Sequence, residues 1–213
     1  YYYQEAIQEI KNRVGDDVRI IIMLRNPIDR AYSAYQHVYK SIKEQHQFEY
    51  ALKIEEGRLE KDLTLTPMVM YKAMGMYYKM VKIYLESFKD VHIVLYDDFS
   101  EDTTKAIKKV FKFLGVNENC NIQSNIRYNV GGKIWSNQTI KEVFIKESKL
   151  KSAFQSLFSK RIRKKIRWIL TKPFIKQTPP MKAETREYLI KYFTQDIKQL
   201  SSLINKDLTN WTK

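Results

Sequence analysis

Cysteine is almost absent from this chain. Cys120 stands alone in 213 residues, so no internal disulfide framework can staple the fold, and a reducing compartment suits it. Histidine is nearly as scarce: His37, His46 and His92 lack any spacing that would gather a metal ion. The six glycines, Gly15, Gly57, Gly75, Gly115, Gly131 and Gly132, are scattered, and none opens a strand-to-helix turn followed by Lys or Thr. No apolar run approaches the roughly 20 residues a membrane-spanning helix needs, and no signal peptide is visible. Acidic side chains are the minority sign, 24 against 38 Lys and Arg, for a net charge of +14. What is abundant is ordinary core material. With 44% hydrophobic and 13% aromatic residues, the chain belongs with globular rather than disordered proteins, and its length suits a single domain spanning 1–213.

The charge is unevenly placed. Residues 141–176 carry twelve Lys and Arg, from Lys141 to Lys176, opposed only by Glu142 and Glu147. That concentration points to an anionic partner near one face: an acidic glycan, a phospholipid surface or nucleic acid. Within it, Phe158 to Leu170 (FSKRIRKKIRWIL) sets Phe158, Ile162, Ile166 and Ile169 on one helical face with cations on the other. A solvated face of a packed helix is the commoner meaning of such a pattern. An anionic membrane surface bound through 158–170 and an acceptor groove for an acidic glycan are the alternatives.

The apolar runs organise the rest. Val18 to Leu24 is short, β-branched and interrupted only by Arg19, and reads as a buried strand; Val91 to Tyr96 reads as a second. Helices are expected over 4–14, from Pro27 to about Lys43, over Phe48–Glu56, from Pro67 through Phe88, and from an N-cap at Ser100 to Leu114, where Gly115 stops the helix. Residues 117–133 read as a loop and 136–170 as basic and helical. Lys172–Pro180 is a break, and a final helix covers Lys182–Ile204. Strands alternating with helices predict a parallel α/β sheet with crossover connections. Tyr71, Met74, Tyr77, Tyr78 and Tyr84 are expected in the core, as are Trp135 and Trp211.

The most informative stretch is Arg25 to Tyr35, RNPIDRAYSAY, directly after the first strand. Asn26 is a good N-cap and Pro27 fits the first helical turn. A helix start presents free N–H groups and a positive dipole end, and Arg25 adds a bidentate fork. Ser33 shares a helix face with Arg30 and Asn26. Together they make a candidate phosphate pocket, with Arg30 supporting it rather than touching the ligand. In the bland alternative, Arg25 or Arg30 pairs with Asp29 on the surface. Asp97 and Asp98 are expected to cap the following helix.

This segment resembles the 3′-phosphate-binding element of sulfotransferases that use 3′-phosphoadenosine 5′-phosphosulfate (PAPS). In that pattern a strand ends in Arg, Asn/Asp-Pro follows, and a Ser stands eight residues after the Arg, as Ser33 does after Arg25. Phe48-Glu49-Tyr50-Ala51-Leu52, Val91 to Phe99, Phe113-Leu114-Gly115-Val116, Arg127 to Lys133, and Pro179 through Trp211 are similar to further stretches of the bacterial and Golgi-type branch. The resemblance implies a P-loop-NTPase-like parallel sheet flanked by helices, with a helical C-terminal part. It implies that Arg25 and Ser33 contact the 3′-phosphate of PAPS. It further implies that Arg127, Asn129, Gly131, Gly132 and Lys133 form a loop closing over the nucleotide. The acceptor would be a carbohydrate or lipid-linked hydroxyl or amine, with no metal and no specific nucleic acid. A bacterial cytoplasmic setting is expected, with membrane association as the alternative. The family's 5′-phosphosulfate loop has no counterpart here. The chain is therefore expected to be a fragment whose first strand, phosphosulfate loop and general base lie before Tyr1. A kinase-like P-loop fragment and a non-catalytic basic anion-binding module are the rival readings.

Overall fold

Two apolar runs form a parallel pair. In the computed structural model, β1 (Arg19–Leu24) lies beside β2 (Asp90–Leu95) in register, from Arg19 opposite Asp90 to Leu24 opposite Leu95. The structure describes residues 5–40, 44–61, 67–118, 120, 122, 133–145 and 159–213. Helix α1 (Glu5–Val14) precedes β1, and α2 (Pro27–Lys40), α3 (Phe48–Ile54), α4 (Arg58–Lys61) and α5 (Tyr77–Ser87) fill the crossover to β2. After β2 come α6 (Tyr96–Glu101) and α7 (Thr103–Leu114). Then β3 (Lys133–Trp135), α8 (Gln138–Ile145), α9 (Lys160–Thr171), β4 (Ile175–Gln177), α10 (Ala183–Ile204) and a closing 3-10 turn (Thr209–Thr212) complete the order. The expected α/β class, a small parallel sheet flanked by helices, is what forms.

The long helix α10 is the organising wall. Its stripe Leu189, Phe193, Ile197 and Leu200 is buried and packs against α5 and α2. Each such side chain contributes about 1.5–3 kcal/mol when fully removed from water. Tyr71, Tyr77 and Tyr84 are buried as expected, and Trp211 closes the core at 1% exposure. Gly75 is required by this packing, because a Cβ there would lie 2.8 Å from the Phe193 ring. Gly115 adopts φ +67° and ends α7. Val116 N–H reaches the Phe111 carbonyl (3.0 Å) and Gly115 N–H the Lys112 carbonyl (3.1 Å), a Schellman ending.

Several local expectations are corrected. The β1 run is not buried on both faces: Ile22 and Leu24 face the core, while Ile21 and Met23 are 42% and 50% exposed. Uniform apolarity hid the alternation that a one-sided strand obeys. Pro67 does not start a helix reaching Phe88. Two 3-10 turns, Pro67–Val69 and Ala73–Gly75, come first, and α5 starts only at Tyr77. Its N-terminus is capped from across the molecule, where the Asp196 carboxylate on α10 accepts from Tyr77 N–H (2.8 Å) and Tyr78 N–H (3.2 Å). Burial pushes the Asp196 pKa up against the pull of those two donors. Ser100 is not the cap of α7. Asp102 is, accepting from Lys105 N–H at 2.9 Å, and Ser100 instead donates to the Asp97 carbonyl. The break at Lys172–Pro180 contains a strand, since β4 pairs antiparallel with β3. Within 136–170, expected to be basic and helical, α8 and α9 are the described helices.

A buried polar cluster braces the crossover. The Glu44 carboxylate is fully buried and accepts from Arg58 Nη1 (2.6 Å), Tyr71 Oη (2.8 Å), and the N–H groups of Gln45 and His46 (3.0 Å each). Burial alone would raise its pKa, but Arg58, His46 N–H and Tyr71 together hold it below the ordinary carboxylate value. The same contact pushes the Tyr71 hydroxyl far up, with burial the larger cause. Close by in sequence, the buried Glu55 carboxylate accepts from the N–H groups of Lys72 (2.8 Å) and Ala73 (2.8 Å). Lys141, one of the twelve cations of 141–176, is not on the basic surface at all. It is fully buried, with Nζ 2.5 Å from the Tyr39 carbonyl and over the Tyr39 ring.

Candidate functional site at the strand ends

Because β1 and β2 end in register, the next residue of each meets the other. Arg25 follows Leu24, Tyr96 follows Leu95, and the Arg25 guanidinium lies over the Tyr96 ring at 4.9 Å. Ligands of open α/β sheets bind at the carboxyl ends of strands, and this is that end. Arg25 is half-buried, and no carboxylate among the described residues pairs with it. Its backbone is pinned: Tyr77 Oη donates to the Arg25 carbonyl at 3.0 Å. The guanidinium is therefore a cation on a fixed root, with an aromatic ring on one side and its charge unspent.

Asn26 builds the helix start beside it. Its Oδ1 accepts from Ile28 N–H (3.0 Å), and its carbonyl accepts the first helical bond from Arg30 N–H (2.9 Å). Its Nδ2 donates to the Trp211 carbonyl at 3.2 Å. Trp211 in turn donates its indole N–H to Asp97 Oδ2 at 2.7 Å. The closing turn thus ties the end of β1 to the segment after β2. Asp97 does this instead of capping the following helix, and Asp98 pairs with Lys206 at 3.4 Å. Asn26→Ala removes both the cap acceptor and the donor to Trp211. It is expected to cost about 1–2 kcal/mol of stability in urea denaturation.

Neither predicted surface pair with Asp29 forms. Asp29 bonds Arg186 on α10 at 2.9 Å. Arg30 turns inward and donates to the Tyr71 carbonyl, with its Nε buried and without a partner. Arg30 therefore braces α2 against the segment that carries Tyr71. Ser33 is exposed on α2, one turn after Arg30, and its hydroxyl makes no hydrogen bond among the described residues. The loop expected to close over the nucleotide lies, for Arg127, Asn129, Gly131 and Gly132, outside the described residues. Lys133 opens β3, whose backbone packs beside α2, the helix that carries Ser33.

Tyr96, Tyr77 and Trp211 complete the site without having been assigned to it from sequence. The register of the two strands was the missing signal, since it places residue 96 opposite residue 25. A cavity of about 690 Å³ lies elsewhere, along the outer edge of β2 between α7 and the end of α10. His92 lines it, stacked on Phe113 at 5.1 Å, and burial with Lys206 and Lys109 nearby pushes its pKa down. Arg25 does not line that cavity.

The family model described as "Sulfotransferase domain" matches residues 8–201. The chain belongs to the sulfotransferase domain family. A solved sulfotransferase from Alicyclobacillus acidocaldarius is similar over the whole of this chain, with a TM-score of 0.68 and 25% identity. This sulfotransferase-family chain spans 64% of the length of that protein. Among curated protein sequences none matches it. No group of His, Cys, Asp and Glu among the described residues could hold a metal ion.

Proposed function

We propose that this domain takes part in sulfuryl transfer from PAPS to a hydroxyl or amine of a carbohydrate or lipid-linked acceptor. The observation that supports it is Arg25: a rooted cation without a carboxylate partner among the described residues, at the carboxyl end of a parallel strand, beside a capped helix N-terminus, in a chain of the sulfotransferase domain family. A 3′-phosphate fits that geometry. The guanidinium offers a bidentate fork, the first turn of α2 offers its positive dipole end, and Ser33 offers a hydroxyl with no partner among the described residues. The exposed Tyr96 ring, already in contact with Arg25, provides an apolar face for the nucleoside. PAPS supplies the activated sulfuryl group. The acceptor oxygen or nitrogen bonds to sulfur and gives its proton to a general base, the bond from sulfur to the 5′-phosphate oxygen breaks, and adenosine 3′,5′-bisphosphate departs.

These residues hold and orient the nucleotide. Fixing the 3′-phosphate fixes the register of the reacting end, and in transfers of this kind positioning and electrostatic stabilisation dominate. The test is calorimetric titration with adenosine 3′,5′-bisphosphate against adenosine 5′-phosphate. The bisphosphate is expected to bind at least about tenfold tighter, the effect of one charge-assisted contact. Equal affinities would overturn the reading. A preference for ATP with magnesium would favour a kinase-like one instead.

A further inference from the structure

Helix α9 is exposed on almost every side. Ile162, Ile169 and Leu170 are 47%, 53% and 52% exposed, and Arg161, Lys165 and Arg167 are exposed as well. Among its described side chains Thr171 is the buried one, and the described element it packs on most is its own following turn, Lys172–Phe174. Laid out at 3.6 residues per turn, Ile162, Ile166, Ile169 and Leu170 fall within one sector. Arg163 and Arg167 border that sector on one side, Lys165 and Arg161 on the other. Three of the four stripe residues are therefore exposed, Ile166 is half-buried, and cations fence the stripe along both edges.

The charge around it is of one sign. From residue 148 to residue 183 there is no Asp or Glu, while eleven Lys and Arg occur. A packed surface helix usually carries mixed signs on its solvent face. A partner of nucleic acid or acidic glycan would use the cations and leave the isoleucines in water. A protein groove would use the isoleucines and give no reason for thirty-six positions without an acid. An anionic lipid surface uses both. Its headgroups meet the arginines and lysines, while the stripe sinks to the acyl boundary. No described helix is long and apolar enough to cross a membrane, so the contact would lie in the interface plane.

We propose that α9 is an interfacial helix that docks this domain on an anionic lipid bilayer, with Ile162, Ile166, Ile169 and Leu170 entering the acyl boundary. The proposal does not depend on the nucleotide reading, and its test uses no nucleotide. The whole chain is co-sedimented with vesicles of phosphatidylcholine alone and of phosphatidylcholine with phosphatidylglycerol. The wild type is compared with Ile162→Asp/Ile169→Asp and with Lys165→Glu/Arg167→Glu. All four positions are exposed, so both variants should keep the wild-type circular dichroism and melting temperature. Binding is expected to the anionic vesicles only, and each variant is expected to weaken it at least about tenfold. Should the aspartate pair fold normally and still bind the anionic vesicles like wild type, the stripe does not insert and the proposal fails. It fails equally if neutral vesicles bind as well as anionic ones. It also fails if wild type ignores both vesicles at low salt while retaining heparin or DNA, which would mark the region as a plain polyanion site.

Discussion

Arg25→Ala is expected to weaken binding of adenosine 3′,5′-bisphosphate about a hundredfold while leaving the affinity for adenosine 5′-phosphate nearly unchanged. The size follows from the chemistry of the contact. A guanidinium facing a phosphate makes charge-assisted bonds worth about 1.5–3 kcal/mol each, and about 1.4 kcal/mol is a tenfold change. The fold should survive. The side chain is half-buried, its recorded contact is the Tyr96 ring, and the bond from Tyr77 Oη goes to the backbone carbonyl, which alanine keeps. Arg25→Lys should fall between the two, since an ammonium keeps the charge and loses the fork. Titration calorimetry of the three proteins with both nucleotides checks this. An equal loss for the two nucleotides would mean that Arg25 does not read the 3′-phosphate. An unchanged bisphosphate affinity would remove Arg25 from the site.

Arg58→Met is expected to destabilise the domain by about 3–5 kcal/mol, because it strands a fully buried carboxylate. Among the described residues Glu44 has no other cation within bonding distance, only the Tyr71 hydroxyl and two backbone N–H groups. The pH dependence has a definite sign. The folded pKa of Glu44 is held below its unfolded value, so its contribution is complete above the unfolded value of about 4.3 and is lost as pH falls through the folded pKa. Asp196 and Glu55 are shifted upward and act in the opposite sense, becoming protonated more readily in the folded chain. The total acid profile therefore mixes signs, and the difference against Glu44→Gln isolates one group. The gap in unfolding free energy between wild type and Glu44→Gln should be constant near neutrality and shrink below about pH 4. Urea denaturation at stepped pH measures it. A gap that widens on acidification would show that the ion pair is not what Glu44 contributes.

Much of the fold could be read along the chain because its signals are local. Asn26-Pro27 after an apolar run announces a strand-to-helix turn by capping and by the missing proline N–H, and the structure has Asn26 Oδ1 on Ile28 N–H. Gly115 announces a helix end because φ +67° costs it little. The stripe of α10 shows its period directly. The failures share a cause. Asp196 caps α5 from more than a hundred residues away, so nothing near Met76 could reveal where that helix begins. Asp29 and Asp97 each had a plausible role close by in sequence. Each found its partner instead on a distant element, Arg186 and Trp211, and Lys141 reaches the Tyr39 carbonyl from the basic region.

The same division holds for the site. The sequence by itself determined that an arginine stands at a strand end, that a helix begins two residues later, that the chain cannot rely on disulfides, and that its excess positive charge is concentrated in one region. These depend on residue type and on spacing within one turn or one strand. Only the tertiary structure decided that Tyr96 faces Arg25, that Tyr77 and Trp211 hold the turn in place, that Arg30 turns inward, and that Lys141 leaves the basic surface for the interior. Those outcomes depend on the register of two parallel strands and on which buried polar groups can satisfy one another. Both are set when separate elements pack.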